Sequence, residues 1–286
     1  MAQDQETQLL RCYRHPDRET GVSCSECGRG ICPDCMVFAP VGIRCPDHSG
    51  QAQGARRVVQ NVSRRSARNP GLVTKTLIAI NVGIYLLQLA GGASINANSG
   101  WIFEHGALYG PFVANGDWYR LLSAAFLHYG PIHLGMNMLA LWWIGRPLED
   151  WLGPVRYLLL YVVAGLAGSA GALIANPTGV TVGASGAIFG ILGAAIVLER
   201  QGTNVLGGSA VTLLLVNLAF TFAIPGISIG GHLGGLAGGA LAILALSQFG
   251  KRSAVHSRFD LVSVASLLAV GVLSVAVAYW KVRGYA

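Results

Sequence analysis

Seven apolar segments follow one another along this chain, and they constrain its fold more than any other feature. They occupy residues 73–89, 132–148, 155–174, 185–198, 210–224, 232–249 and 261–280. Most of them approach the ~20 residues that an α-helix needs to cross the hydrocarbon core of a bilayer. Charged residues make up only 12% of the 286 residues, whereas a soluble domain carries about 25%. The sequence therefore predicts an all-α polytopic membrane protein with seven spans and a small soluble head.

A cluster of basic side chains lies around the start of the first span. It consists of Arg56, Arg57, Arg64, Arg65, Arg68 and Lys75. Although a net charge of +7 would also suit nucleic-acid binding, a short basic run beside a span is typical of the positive-inside rule. We therefore expect a cytosolic N-terminus, a location in the cell (plasma) membrane and no nucleic-acid partner. Odd-numbered spans then run outward and even-numbered spans run inward.

All six cysteines of the chain lie before residue 50, and two histidines complete their spacing. The set is Cys12, His15, Cys24, Cys27, Cys32, Cys35, Cys45 and His48. These residues form four pairs, each separated by two residues, which supplies the eight ligands of two tetrahedral zinc ions. Confinement of the cysteines to one polar segment favours metal ligands in a reducing cytosol over disulfides. Because no coordination position stays open, we expect both ions to be structural.

Polar side chains mark the start of three even-numbered spans, which all begin on the outer side. The second span opens with His128, His133 and Asn137, the fourth with Ser185 and the sixth with His232. A lone serine in such a helix usually bonds its own backbone, and a lone asparagine can join two helices. Three such motifs at one depth favour a functional site, because polar groups inside a membrane are costly.

The chemistry that suits these side chains is acyl transfer by a Ser–His dyad. Ser185 is the candidate nucleophile, and His232 is the candidate base on a facing helix. Backbone N–H groups at the start of the fourth span, with His133 and Asn137, would stabilise an oxyanion. Glycines spaced four apart accompany both Ser185 and His232, and small residues of this kind allow close helix crossing. No acidic residue is positioned to orient His232, so we predict a dyad and not a triad.

These motifs resemble those of the rhomboid family of intramembrane serine proteases. The resemblance covers about residues 72–250. It rests on GASG around Ser185, on GHLGGLAGG around His232, and on His133-x-x-x-Asn137 preceded by His128. The family implies a six-helix core with Ser185 as nucleophile and His232 as base, and it places His133 and Asn137 on the oxyanion side.

The same resemblance implies further properties of the site and its substrates. Phe189 would stack near the base, and Gly183 would help to line the site. Substrates would be membrane proteins with a single transmembrane segment in the lipid bilayer, cut near the outer surface at a small residue. The chain departs from the family at Tyr119-Arg120, where many members carry a Trp-Arg pair in the first loop.

Two other function classes share part of this pattern with a protease. A catalytically inactive rhomboid-like chaperone or quality-control protein would share the fold, but the presence of both Ser185 and His232 argues against it. A transporter would also use glycine-rich helices with polar groups near the midplane. Here the polar set lies near one face, and the spans show no repeated halves.

The spacing of the head resembles B-box-type zinc fingers, which interleave their ligand pairs. Interleaving would group Cys12, His15, Cys32 and Cys35 at one ion and Cys24, Cys27, Cys45 and His48 at the other. Sequential pairing also yields two Cys3His sites, so the spacing leaves both arrangements open. Small domains of this kind usually bind a protein partner. The predicted division is a zinc-binding domain at 1–49, a basic flexible linker at 50–71, the rhomboid core at 72–250 and an additional membrane helix at 251–286.

Overall fold

The computed structural model describes residues 10–39, 42–48, 70–95, 99–250 and 261–286. The chain divides into two compact units, Met1–Asn61 and Val62–Ala286. The arginines of the predicted basic linker lie outside the described residues.

Two short antiparallel hairpins build the N-terminal unit. Strand β1 (Leu10–Cys12) pairs with β2 (His15–Thr20), and β3 (Val37–Phe38) pairs with β4 (Ile43–Arg44). A single 3-10 turn, Pro33–Cys35, lies between the hairpins. Among the described residues of this unit, the buried apolar side chains are Ile31 and five of the cysteines. So small an apolar core does not stabilise a fold of this size alone, because domains below about 40 residues usually need metals or disulfides.

Helices make up the second unit. In chain order they are α1 (Leu72–Ala90), α2 (Trp101–Gly106), α3 (Gly110–Ala114), α4 (Arg120–Ser123), α5 (Gly130–Ala140), α6 (Arg146–Leu152), α7 (Pro154–Ala175), α8 (Ser185–Arg200), α9 (Ala210–Ala223), α10 (Ile229–Gly250) and α11 (Leu261–Val282). A π-helical segment, Leu141–Gly145, joins α5 to α6.

Four helices of the described part are long and apolar enough to cross a membrane. They lie at Leu72–Ala90, Pro154–Ala175, Ile229–Leu246 and Val264–Tyr285. The other three predicted spans correspond to the interrupted helix α5–α6 and to α8 and α9, which have 16 and 14 residues. The prediction of a helical multi-pass membrane protein is therefore confirmed.

The short length of α8 has a consequence for the depth of its ends. Its 16 residues span ~24 Å at a rise of 1.5 Å per residue. The hydrocarbon core of a bilayer is ~30 Å thick. Helix α8 is therefore shorter than the hydrocarbon core is thick, so residues outside the helix would be needed to complete a crossing here.

Helices α8 and α10 cross at backbone contact, and glycine makes this crossing feasible. A Cβ atom at Gly235 would lie 1.9 Å from the carbonyl oxygen of Gly186, and one at Gly239 would lie 2.0 Å from the carbonyl oxygen of Gly190. No larger residue fits at such distances. Helix α7 approaches α10 in the same way, since a Cβ atom at Gly171 would lie 2.3 Å from the carbonyl oxygen of Gly230. Close backbone contact of this kind is how membrane helices associate without a hydrophobic driving force.

A buried carboxylate joins α1 to α6. Glu149 is 1% exposed, and its two oxygens accept hydrogen bonds from the backbone N–H groups of Val73 at 2.9 Å and Thr74 at 2.8 Å. The hydroxyl of Thr74 donates a third hydrogen bond, also at 2.8 Å. Because the first N–H groups of a helix have no partner within it, Glu149 serves as the cap of α1 from a distant part of the chain.

The long loop between α1 and α5 is organised around a buried arginine. Arg120 is 3% exposed and donates hydrogen bonds to the carbonyl oxygens of Glu104 at 2.7 Å and Ala107 at 2.9 Å. Its Nε atom also donates to Asp117 at 2.8 Å. The guanidinium group thus holds α2 and α4 together, although Tyr119 stands before it where the resemblance to the rhomboid family implies a tryptophan.

Helix α11 packs against the same loop and against α7. Ala278 and Val282 are fully buried beside Leu108 and Val113. The ring of Trp118 lies 5.0 Å from that of Tyr279, measured between centroids. The additional C-terminal helix is therefore part of the packed helical unit.

Candidate active site and metal clusters

Ser185 and His232 are in direct contact. The Nε2 atom of His232 lies 2.8 Å from the Oγ atom of Ser185. Ser185 is the first residue of α8, and His232 lies in the first turn of α10. The glycine crossing of these two helices is adjacent to both side chains, since Gly186 and Gly235 form it. The tight crossing thus positions a hydroxyl and an imidazole at hydrogen-bonding distance.

The imidazole of His232 is held on two further sides. The ring of Phe189 stacks on it, with centroids 4.0 Å apart and an interplanar angle of 16°. The Oγ1 atom of Thr221, on α9, lies 2.7 Å from Nδ1 of the same imidazole. His232 is only 6% exposed. Both nitrogens of the ring are therefore engaged, and its plane is fixed by a neighbouring aromatic ring.

Thr221 is a site residue that the sequence analysis missed. A signal for it exists in the sequence, because Asn217 and Thr221 lie four residues apart and share one face of an otherwise apolar segment. The side chain of Asn217 donates to the carbonyl oxygen of Leu213. A threonine in a helix usually forms the same kind of bond to its own backbone, so this signal does not predict a second partner on another helix.

The start of α8 offers free backbone donors beside Ser185. No side chain caps this end of the helix. The first helical hydrogen bond is donated by the N–H group of Ile188 to the carbonyl oxygen of Ala184. The N–H groups of Ser185, Gly186 and Ala187 therefore have no partner within α8, and the N-terminal end of the helix dipole favours negative charge there.

His133 lies against the segment that precedes Ser185. A Cβ atom at Gly183 would lie 2.7 Å from Cε1 and 2.8 Å from Nε2 of His133, and 3.8 Å from Oγ of Ser185. Gly183 also has a φ angle of +122°, which disfavours any other residue. The Nδ1 atom of His133 accepts a hydrogen bond from the backbone N–H of Tyr129 at 3.3 Å. The ring hydrogen of His133 is consequently on Nε2, the nitrogen that faces Gly183.

Asn137 and His128 complete the predicted polar group on α5 and the residues before it. The amide nitrogen of Asn137 donates to the carbonyl oxygen of His133 at 2.8 Å, which leaves its second amide hydrogen available. His128 is 2% exposed, and its ring lies edge-on to that of His133 at a centroid distance of 5.1 Å. Within the described part of the chain, neither ring nitrogen of His128 has a hydrogen-bond partner.

The cysteines and histidines of the N-terminal unit form two separate clusters. One contains Cys12, His15, Cys32 and Cys35, and the other contains Cys24, Cys27, Cys45 and His48. In each cluster all the ligand atoms lie within 4.8 Å of one another, and the six cysteines are free. The pairs are therefore interleaved, which is one of the two arrangements that the sequence left open.

The distances within the clusters fit tetrahedral coordination. The Nδ1 atom of His15 lies 3.7 Å from Sγ of Cys12 and 3.4 Å from Sγ of both Cys32 and Cys35. In the second cluster, Sγ of Cys45 lies 3.8 Å from Sγ of Cys27 and 3.2 Å from Nδ1 of His48. A tetrahedral zinc ion would separate sulfur from nitrogen by about 3.5 Å and sulfur from sulfur by about 3.8 Å. The two clusters have the size and the donor atoms that this ion requires.

An ion pair braces the first cluster. Arg18 on β2 donates a hydrogen bond to Asp34 in the 3-10 turn that carries Cys35. The hydrogen bond from the guanidinium lowers the pKa of the Asp34 carboxyl below its ordinary value. Because both side chains are exposed, this pair contributes little to stability, but it links two of the segments that supply ligands.

Comparison with known proteins bears on the helical part of the chain. Residues 115–249, which include Ser185 and His232, match the Rhomboid domain family. The rhomboid protease GluP of Bacillus subtilis (strain 168) is 37% identical over 188 residues, which are 63% of this chain and 36% of GluP. The rhomboid-family protein YdcA of the same organism is 37% identical over 134 residues, which are 45% of this chain and 67% of YdcA. The chain belongs to the rhomboid family.

The rhomboid relatives differ in how much of their length this chain covers. RHOMBOID-like protein 5 of Arabidopsis thaliana is 35% identical over 158 residues, which are 51% of this chain and 50% of that protein. The chain thus spans about a third of GluP, half of the plant rhomboid and two thirds of YdcA. The two Cys/His clusters lie before residue 115, outside the segment that matches the rhomboid domain.

Proposed function

We propose that this rhomboid-family chain is an intramembrane serine endopeptidase that uses Ser185 as nucleophile and His232 as general base. The observation that carries the proposal is the 2.8 Å contact between Oγ of Ser185 and Nε2 of His232. A hydroxyl becomes an effective nucleophile when a base within hydrogen-bonding reach accepts its proton. The contact belongs to helices that cross at backbone distance, so it is preorganised in the fold.

The proposed reaction has two stages. Ser185 Oγ attacks the carbonyl carbon of the scissile peptide bond while its proton passes to Nε2 of His232, and the carbonyl oxygen becomes an oxyanion. His232 then gives this proton to the leaving amine as the C–N bond breaks, which leaves an acyl ester on Ser185. Water then attacks the ester carbonyl carbon while His232 accepts a proton from it, and His232 returns this proton to Oγ of Ser185 as the ester C–O bond breaks and the carboxylic acid product leaves.

Three kinds of donor would stabilise the oxyanion. They are the unpaired N–H groups at the start of α8, the Nε2–H group of His133 and the second amide hydrogen of Asn137. Removal of one such donor from an acyl-transfer enzyme typically lowers kcat by about a hundredfold to a thousandfold. The glycine at position 183 matters here, because any side chain there would collide with the ring of His133.

The proposed substrates are membrane proteins with a transmembrane segment. Helix α8 is too short to cross the bilayer, and we propose that its recessed end is the one that begins at Ser185. A substrate peptide bond at that depth belongs to a transmembrane segment or to an end of that segment that has unwound. We propose that the cut lies near the outer face, in keeping with the predicted cytosolic N-terminus.

Purified full-length protein in liposomes with a model single-span substrate tests the activity. Wild-type protein should cleave the substrate, and Ser185→Ala and His232→Ala should each abolish cleavage. Full cleavage by Ser185→Ala would refute the dyad. If neither wild type nor variants cleave any of several single-span substrates, the inactive chaperone becomes the better description of the chain.

We also propose that the two Cys/His clusters bind one structural zinc ion each. Cysteine and histidine in four-ligand clusters are the donors that zinc prefers, and neither cluster has an open position for catalysis. Zinc analysis of the purified full chain should give two ions per molecule. A content of zero in protein prepared without chelators would contradict this proposal.

The orientation in the cell membrane is proposed from the basic residues at 56–68. Trypsin cleaves after arginine, so this run reports the side of the membrane on which it lies. Trypsin added outside intact spheroplasts should leave the N-terminal unit attached, and lysis should permit its release. Release from intact spheroplasts would reverse the proposed orientation.

A further inference from the structure

The hydrogen bond between Thr221 and His232 has a direction that the surrounding geometry determines. Oγ1 of Thr221 lies 2.7 Å from the carbonyl oxygen of Asn217 and 2.7 Å from Nδ1 of His232. Two oxygens come this close only with a hydrogen between them, and a carbonyl group has none to give. The hydroxyl hydrogen of Thr221 is therefore donated to Asn217.

The remaining contact of Thr221 follows from this assignment. A hydroxyl has one hydrogen, so Thr221 can only accept from the imidazole, and Nδ1 of His232 must carry the ring hydrogen. In a neutral imidazole the other nitrogen is then unprotonated. That nitrogen, Nε2, faces Oγ of Ser185 at 2.8 Å. The ring is thus held in the tautomer that can accept the serine proton.

We propose that Thr221 is a positioning residue that fixes the tautomer and orientation of His232, in the place that a carboxylate occupies in a catalytic triad. Phe189 fixes the plane of the ring by stacking. Thr221 favours the orientation in which Nδ1 faces it over the one reached by a 180° flip about the Cβ–Cγ bond. The inference rests on the proposed protease function and adds a third member to the pair that the sequence predicted.

A neutral hydroxyl suits this location better than a carboxylate. Thr221 is 2% exposed, and it lies on an apolar helix of a membrane protein. A buried carboxylate at membrane depth would carry a large desolvation cost. Among the described residues, no acidic side chain contacts His232. A threonine fixes the orientation of the imidazole without adding a charge, although it does not stabilise the imidazolium as a carboxylate would.

The test compares substitutions that separate the hydroxyl from the shape of the side chain. Thr221→Val keeps the branched shape and removes the hydrogen bond, and Thr221→Ser keeps the hydroxyl and removes a methyl group. Thr212→Val is the matched control, because Thr212 is an exposed threonine on the same helix. Each full-length protein is assayed in liposomes for kcat and KM on a single-span substrate, and for the rate at which a fluorophosphonate probe labels Ser185.

We expect Thr221→Val to lower kcat and the labelling rate by between about tenfold and a hundredfold, since a reacting group misplaced by about 1 Å can cost about a hundredfold. KM should change by less than about twofold, since Thr221 acts through His232 and not on the substrate. Thr221→Ser should stay within about threefold of wild type, and Thr212→Val should match wild type. If valine prevents folding, Thr221→Ala removes the same hydroxyl and should give the same loss.

The possible failures are distinct. Wild-type kcat and labelling in Thr221→Val would overturn the inference and leave the proposed dyad intact. An equal loss in Thr221→Ser and Thr221→Val would also overturn it, because packing and not the hydroxyl would then be responsible. Wild-type protein that neither cleaves nor reacts with the probe would overturn the proposed function itself, and the inference with it.

Discussion

The phenyl ring of Phe189 covers one face of the His232 imidazole at a centroid distance of 4.0 Å. Phe189 is one turn beyond Ser185 on α8, so a single helix supplies both the hydroxyl and the surface on which the imidazole rests. Both rings are buried. The position of the His232 imidazole therefore depends on Phe189, a side chain that takes no part in proton transfer or bond formation.

Phe189→Leu tests this dependence. Leucine keeps the site apolar but offers no flat face, and stacked rings are worth about 0.5–1.5 kcal/mol beyond their buried area. We expect kcat to fall by about 2–12-fold, which is that free energy expressed as a rate, while KM stays near the wild-type value. Cleavage kinetics in liposomes provide the measurement, and an unchanged kcat would show that the stacking does not orient the base.

Gly235→Ala should separate α8 from α10. The added Cβ would lie 1.9 Å from the carbonyl oxygen of Gly186, so the helices must move apart and the Ser185–His232 contact must lengthen. We expect a loss of stability of about 1–3 kcal/mol, as in other overpacked cores, and at least a tenfold loss of kcat.

Gly83→Ala on α1 is the matched control for this substitution. No atom beyond the neighbouring backbone of the same helix lies within 4 Å of the position its Cβ would occupy, and alanine is the better helix former. Thermal unfolding in detergent and cleavage in liposomes should both match wild type for Gly83→Ala. Equal behaviour of the two variants would contradict the role given to the glycine crossing.

Glu149→Ala should destabilise the helical unit without changing the site directly. The substitution leaves two backbone N–H groups and the hydroxyl of Thr74 without their acceptor in a buried position. We expect the free energy of unfolding to fall by about 2–4 kcal/mol, since each buried donor without a partner costs about 1–3 kcal/mol. Asp150→Ala changes the adjacent, exposed carboxylate and should change stability by less than about 0.5 kcal/mol.

Double substitutions distinguish interleaved from sequential zinc pairing. Cys12 and Cys35 belong to one cluster in the structure, whereas Cys12 and Cys24 belong to different clusters. The Cys12→Ser/Cys35→Ser protein should therefore retain one zinc ion, and the Cys12→Ser/Cys24→Ser protein should retain none. Zinc content per full-length chain is the measurement. The reverse result would indicate sequential pairing, and equal contents would show that the two sites do not bind independently.

The helices were largely predictable from the sequence, and the reason is compositional. A membrane leaves few alternatives for a long apolar segment, because its backbone must satisfy its own hydrogen bonds. The predicted segment 155–174 accordingly lies within Pro154–Ala175, and 73–89 lies within Leu72–Ala90. The interruption of the second span at Leu141–Gly145 was not predicted, since its residues are as apolar as those on either side.

The contacts between elements were less accessible to sequence analysis. Cysteine spacing identifies pairs of ligands but not which pairs meet, so interleaved and sequential pairing stayed open until the two clusters showed which ligands lie together. Thr221 was missed for a similar reason. A threonine in an apolar helix ordinarily bonds its own backbone, and this one does so with Asn217. The second hydrogen bond of Thr221, to His232, exists because α9 lies beside α10. No local sequence pattern predicts that two helices are neighbours.

Helix α9 is described along its whole length, and just two of its residues, Ala210 and Thr221, are buried. Ala210 is at one end of the helix and Thr221 is near the other, so the residues between them are not fully buried against the rest of the protein. Any movement that lifts the C-terminal half of α9 away from α10 would withdraw a hydroxyl from the imidazole at the same moment. The same movement would then both open this side of the molecule to lipid and break the hydrogen bond that orients the imidazole of His232.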